Sequence, residues 1–247
     1  MQGKKFNLQD SMYEFPYHYL PHIDQNGVGA RCRGLRWGYE YLCYMYHVKK
    51  LVERLAPDSF LDLGCGDGRL AGNIEGPSRR VGVDPSEKAI RFAKAFNPEV
   101  EFLSERAEAL SERFDVVVAM EVLEHIPDEQ VGSFFRTLAQ RVAEGGHAVI
   151  TVPTTVKPLQ EKHFRHYDIT LFRDHLERSG ASLNIKQVEY VYRRSRIVEW
   201  YNKLTVNRKW IVDAWLFQRW VWNYVWKHLR RADAQNGYHL VVVLTKE

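Results

Sequence analysis

Cysteine is scarce. Cys32, Cys43 and Cys65 are the only three in 247 residues, and no two form a CxxC pair. That excludes a zinc knuckle built on such pairs and a disulfide framework. No unbroken apolar run reaches the ~20 residues of a membrane-spanning helix. The opening "MQGKKFNLQDSMYEF" has none of the apolar core of a signal peptide. A reducing, cytoplasmic location is therefore the default expectation. Excess charge is small: the formal net charge is +4, with 27% charged residues. This is too little for a dedicated nucleic-acid module, yet compatible with an anionic substrate or an anionic membrane surface. Internal repeats and low-complexity tracts are lacking as well.

What is present is a hydrophobic content of 45%, enough for one sizeable core and an added subdomain. Three regions follow from composition. Residues 1–50 hold an aromatic arm broken by Pro16 and Pro21, then a helix through "WGYEYLCYMYHVKKLVERL" that stops before Pro57. Residues 51–194 together with 237–247 read as the core domain. Residues 195–236 carry six of the seven tryptophans, and two helices would accommodate them. From about 59 to 152 short apolar strands alternate with amphipathic helices. The expected fold class is α/β: a Rossmann-like, seven-stranded, mostly parallel sheet covered by helices on both faces. "FDVVVAM" is a strand buried on both sides. "VGSFFRTLAQRVAEGG" is a helix closed by its glycines, and late strands fall at 185–193 and 238–245.

In "SFLDLGCGDGRL" a strand runs straight into glycines 64, 66 and 68. Such a turn lets backbone approach a ligand and aims free N–H groups at it. The GK[ST] ending of a phosphate-binding P-loop is absent, and Arg69 replaces the last glycine of GxGxxG. Asp84 ends the next strand, in "RRVGVDPS", where a carboxylate can hold a ribose diol. Turn and acid together point to an adenosine-containing cofactor.

In order, "LDLGCGDGRL", "VGVDPS", "FDVVVAMEVLEHIPD" and "EGGHAVITVP" resemble the motifs of class I S-adenosylmethionine-dependent methyltransferases. The resemblance is greatest to the branch holding ubiquinone-biosynthesis O-methyltransferases and many sugar and natural-product enzymes. It covers about 50–180 and the final strand. It implies S-adenosylmethionine held by Asp62, Gly64, Cys65 and Gly66, with Asp84 on the ribose, Pro85 and Ala107 at the adenine, and Met120 and Glu121 at the methionine end. Arg106 stands where the family usually has an acid, so the adenine contacts depart from the pattern.

Glu121, Glu124 and His125 have the i, i+3, i+4 spacing of one helical face. His125 suits a general base near neutrality. A metal is not expected, but Glu121, Glu124, His125 and His166 form an alternative divalent ligand set, because a similar "E..EH" with a later histidine holds a metal in small-RNA 2′-O-methyltransferases. The polar loop "KHFRHYD" offers His163 and His166 as further catalytic candidates. Arg165 and Tyr167 are candidates for gripping an oxygen-rich or phosphorylated group, while Asp168 could instead cap the next helix. In the arm, Tyr17 and Tyr19 could grip a ligand as part of a lid. The tryptophan insertion reads as a pocket cap or homodimer face first and an in-plane membrane contact third. Together these features lead to O-methylation of a small sugar-like acceptor. Metal-dependent RNA 2′-O-methylation and a non-catalytic cofactor-binding subunit are the rivals.

Overall fold

A computed structural model describes residues 2–11, 22–23, 29–30, 38–205, 210, 212 and 215–246. Tyr17 and Tyr19 lie outside the described residues. The elements in chain order are α1 (Gln2–Ser11), β1 (His22–Ile23), β2 (Gly29–Ala30), α2 (Gly38–Leu55), β3 (Ser59–Leu63), α3 (Arg69–Asn73), β4 (Arg79–Val83) and α4 (Glu87–Phe96). They continue with β5 (Glu101–Leu103), β6 (Phe114–Met120), α5 (Asp128–Arg141), β7 (Val142–Pro153), α6 (Ile169–Ser179) and β8 (Asn184–Arg193). The last are α7 (Arg196–Thr205), α8 (Trp215–Tyr224), which runs on as a π-helical turn over Val225–Leu229, β9 (Arg231–Ala232) and β10 (Gly237–Thr245).

The main sheet has the order β5-β4-β3-β6-β7-β10-β8-β9. Strands β3 to β7 pair in parallel, and β10 runs antiparallel between β7 and β8. The expected seven strands are all there; the eighth is the two-residue edge β9. Side chains on β6 alternate between two cores. Val116 and Val118 face one with α2, α3 and α4, while Val117 and Ala119 face another with α5 and α6. That double burial is why the strand is apolar at nearly every position.

One boundary differs from expectation. Helix α5 ends at Arg141, not at the glycines. Gly145 and Gly146 lie instead in a bulge of β7, where pairing with β6 jumps from Phe114–Val142 to Val116–His147. Gly145 takes φ 74° there, and a Cβ on Gly146 would fall 2.8 Å from the Asp115 carbonyl. The tryptophan segment does form two helices. Burial of the second is one-sided. Val221, Val225 and Leu229 enter the core at i, i+4, i+8, while Leu216, Phe217 and Trp220 face outward.

The sheet packs tightly beneath the glycine turn. A Cβ on Gly82 of β4 would lie 2.6 Å from the Phe102 ring and 3.0 Å from the Cys65 sulfur. Gly82→Ala is expected to lower the unfolding free energy by about 1–3 kcal/mol, read as a lower denaturant midpoint. An unchanged midpoint would show that Phe102 can move aside.

Candidate active site

Parallel strands β3, β4 and β6 end at one edge of the sheet, and a 520 Å³ cavity opens there. That size lies in the small-molecule range of about 300–1,000 Å³. One wall comes from the glycine turn. Gly64, Gly66 and Gly68 all take positive φ (76°, 53° and 74°), which glycine adopts without steric cost. The turn is stapled to β4 by Gly64 and Cys65 amides on the Val83 carbonyl, at 2.8 and 3.0 Å. A Cβ on Gly64 would strike Val122 at 2.5 Å.

Asp84 organises the next wall. Its carboxylate accepts from the Gly66 amide (3.0 Å) and the Ser86 amide (2.8 Å), tying the two βα loops together. Burial pushes its pKa up; those two amides and the more distant Asp10 carboxylate act in opposite directions on it. Ser86 caps α4 by accepting from the Ala89 amide at 3.2 Å, so Asp84 is left for the site. Gly64, Asp84, Pro85, Ala107 and Glu121 line the cavity, joined by Ser86, Arg106, Val122 and Ile126. Asp62, Cys65, Gly66 and Met120 do not line it. Asp62 is buried beneath the turn, its pKa raised to about 7 by burial, against a hydrogen bond from the Ala71 amide and with the nearby Asp84 and Asp67 adding to the rise. The Cys65 side chain packs into the core. These two shape the turn from below and do not face a ligand.

The N-terminal region was expected as a possible lid, but not as a helix at its very start. Helix α1 contributes Lys5, Phe6 and Asp10. Lys5 donates to the Glu161 and His163 carbonyls at 2.6 and 2.7 Å, and the Ser86 hydroxyl donates to Asp10.

The Glu121–Glu124–His125 group does not share a helical face. Glu121 takes φ 56°, a left-handed conformation that costs a non-glycine residue roughly 1–3 kcal/mol, and Leu123–His125 form a single 3₁₀ turn. The chain therefore turns sharply after β6 and sets Glu121 against His239, while Glu124 Oε1 and His125 Nε2 stay 3.9 Å apart. The Glu121 amide donates to the Thr151 carbonyl (3.0 Å) and hydroxyl (3.1 Å). Its carboxylate accepts from the Thr151 hydroxyl and from His239, both at 3.1 Å. His239 sits on β10 and also contacts Glu40 of α2 at 3.0 Å, and Lys157 pairs with Glu40 at 2.6 Å. Burial opposes charge on all three buried partners. Their mutual attraction overrides it: Glu121 is held below the carboxylate range, Glu40 falls to about 2, and His239 rises. His239 is a site residue that the sequence did not disclose.

His125 lines the cavity. Its Nδ1 contacts the Lys162 carbonyl at 3.2 Å, which fixes the N–H there and leaves Nε2 with a free lone pair. Burial lowers its pKa to about 4, with Lys162 adding to the effect. Behind it, His163 Nδ1 meets His166 Nε2 at 2.8 Å and His166 Nδ1 meets the Lys157 carbonyl at 3.1 Å. This relay orients His163 and keeps His166 in the second row. Glu124 is fully buried, and neither of its carboxylate oxygens has a hydrogen-bond partner. Burial and the neighbouring Glu121 push its pKa well up. One ligand atom each of Glu124, His125 and His163 lies within 4.8 Å of the others. A ligand set drawn on Glu121 and His166 is thus corrected by geometry: Glu121 is bound to His239, and His166 stands behind His163.

Arg165 and Tyr167 are absent from the cavity wall. Tyr167 is fully buried, with its hydroxyl 3.2 Å from His175 Nδ1 and 3.3 Å from Arg165. Arg165 also pairs with Asp128 at 2.5 Å. Both serve packing in place of the expected substrate grip. Asp168 caps α6 through the Leu171 amide at 2.8 Å.

An open, mostly parallel sheet, a glycine turn tied to a strand-end acid, and a histidine in the same cavity are the arrangement of a nucleoside-cofactor site. A family model described as "Methyltransferase domain" matches residues 39–186. The chain belongs to that family, in its class I S-adenosylmethionine-dependent form. Curated relatives include the ubiquinone biosynthesis O-methyltransferases of Methylobacterium sp. (strain 4-46), 42% identical over 38% of this chain and 40% of the relative, and of Ralstonia nicotianae, 40% identical over 38% and 42%. The chain thus spans about two fifths of the length of the relatives it matches. Among solved structures, magnesium protoporphyrin IX methyltransferase from Synechocystis with bound S-adenosylhomocysteine gives a TM-score of 0.61 at 13% identity, over 98% of this chain and 99% of that one. The methyltransferase domain of a bacterial protein described as CtHen1-C gives 0.58 at 12%, over 83% and 98%. At these identities the structures establish the fold.

Proposed function

We propose that this chain transfers the methyl group of S-adenosylmethionine to a hydroxyl oxygen of a small metabolite, with His125 as the base. The observation that carries this is the shared cavity: the Gly64 turn, Asp84 and Ala107 line one part, and Glu121 and His125 line another. The acceptor oxygen attacks the donor's methyl carbon in line with the sulfur, whose bond to that carbon breaks to release S-adenosylhomocysteine, so positioning supplies most of the rate. The Glu121 carboxylate, held ionised by His239, offers a fixed negative charge for the donor's cationic end. His125 presents a neutral Nε2 to take the acceptor proton as the new C–O bond forms.

A base this weak favours an acidic acceptor. With its pKa near 4, His125 is better matched to a phenol, at about 10, than to an alcohol nearer water's ~15.7. The names of the curated relatives also favour an oxygen acceptor in quinone chemistry. The sugar-like or phosphorylated acceptor expected from the "HFRH" loop has less support, because Arg165 and Tyr167 are occupied elsewhere.

The test is methyl transfer from isotopically labelled S-adenosylmethionine into separate pools of catechols, nucleotide sugars and 3′-terminal RNA. Labelling of the catechol pool is expected. Labelling of the sugars alone would overturn the phenol, and donor binding without transfer into any pool would favour a non-catalytic subunit. A second reading rests on the two unpartnered Glu124 oxygens: Glu124, His125 and His163 could hold a divalent cation that activates the hydroxyl. The base mechanism expects methylation to survive chelator treatment and metal-free dialysis; activity lost there and restored by Mg²⁺ or Mn²⁺ would establish the second reading.

A further inference from the structure

Thirteen large hydrophobic residues are exposed among the described residues, and eight of them fall between 197 and 220. On α7, Ile197, Trp200 and Leu204 are 52%, 68% and 50% exposed; on α8, Leu216, Phe217 and Trp220 are 71%, 66% and 59% exposed. The spacing on α7 puts its three on one face, with the exposed Arg196 and Lys203 beside them. The opposite sides of these helices bury Val198 and Val221 in the domain core, so the apolar faces are turned outward by the packing itself. Soluble monomers seldom leave so concentrated an apolar patch uncovered.

Charge identifies what covers it. Residues 196–231 hold eight Lys or Arg against Glu199 and Asp213, a net +6 in a chain whose total is only +4. A second copy docked by the same face would bring two such regions together, and like charges across an interface are costly. An anionic lipid surface satisfies both features at once: aromatic and aliphatic side chains enter the acyl boundary while lysines and arginines meet the headgroups. No helix among the described residues is long and apolar enough to cross a membrane, so the contact is in-plane. We propose that α7 and α8 seat this protein on an anionic membrane surface.

The topology places that surface at the catalytic edge. Strand β8 runs parallel to β7, since both pair antiparallel with β10. Helix α7 therefore leaves β8 at the sheet edge where the cavity opens. Tyr201 of α7 contacts Tyr39 with ring centroids 5.9 Å apart. The next residue, Glu40, reaches Glu121 through His239. A membrane under α7 and α8 would lie beside the cavity, within reach of an acceptor that resides in lipid. The membrane contact itself stands apart from the methyl-transfer reading.

Cosedimentation of the full chain with phosphatidylcholine vesicles, and with the same vesicles containing phosphatidylglycerol, tests the contact. Binding to the anionic vesicles only, weakened by added salt, is expected. The triple variant Trp200→Ser, Phe217→Ser, Trp220→Ser should lose at least about tenfold in vesicle affinity, with its melting temperature and S-adenosylhomocysteine affinity unchanged. Arg196→Glu with Lys203→Glu, which leaves the apolar face intact, should reduce binding to the anionic vesicles. Two outcomes overturn the proposal: equal binding by the triple variant, or no vesicle binding together with a dimer in sedimentation velocity that this variant abolishes. Absence of binding in a folded, monomeric protein overturns it too. Since vesicle binding needs no turnover, an inactive protein that still sediments would locate the fault in the methyl-transfer reading.

Discussion

Asp84→Ala is expected to weaken S-adenosylhomocysteine binding by about 10²–10⁴-fold. Hydrogen bonds to a charged group contribute about 1.5–3 kcal/mol each, and a ribose diol offers two to this carboxylate. The same oxygens tie Gly66 to Ser86, so their removal also frees the glycine turn from the adjoining loop. Asp84→Asn should fall between, because an amide keeps one acceptor oxygen and puts a donor where the second was. Titration calorimetry with S-adenosylhomocysteine reads both variants, and circular dichroism checks that the sheet is intact. A folded Asp84→Ala protein that binds within threefold of the parent would dissociate the β4 end from the cofactor, and with it the placement of every other donor contact.

The second large effect concerns His125. Its replacement by Ala should lower kcat by about 10²–10⁴-fold, the usual scale of general-base assistance, while donor affinity changes little. The pH profile supplies a readout that a packing role would not give. Burial lowers the pKa of this imidazole from 6.5 to about 4, so the acid limb of kcat/KM should sit near 4, not near 6.5. The linkage has a definite sign. A folded state that binds fewer protons than the unfolded chain gains stability as pH rises. The His125 contribution is thus lost as pH falls from 6.5 towards 4. The unfolding free energy of the parent should fall relative to that of His125→Ala as pH drops from 6.5 towards 4, and the two should run parallel above 6.5. An acid limb near 6.5 that persists in the variant would remove His125 from the chemistry.

Much of the fold was legible because it rests on local rules. Alternating two-sided burial made β6 and β10 nearly continuous apolar runs, and Ser86 and Asp168 occupy the helix starts where capping residues belong. The place of Gly64 and Asp84 on the cavity wall was legible for the same reason, since both lie at strand ends defined by sequence spacing. The acceptor half was not. A helical reading of Glu121 to His125 assumed right-handed backbone at residue 121, and nothing in "AMEVLEH" announces the left-handed turn. His239 meets Glu121 across 118 residues of chain, a separation that periodicity cannot bridge. Helix α1, "QGKKFNLQDS", has too little apolar patterning to declare itself as a roof. Tyr167 was read as a ligand contact from the polar loop that it ends, with packing as the alternative, and packing it is: the ring fills the core and the hydroxyl finds internal partners.

The short α1 helix is fastened at two places. Lys5 grips carbonyls of the loop bearing His163, and Asp10 meets Ser86 next to Asp84. A single ten-residue helix thus bridges the loop after β4 and the loop after β7, and whatever loosens either fastening uncovers both walls of the cavity together.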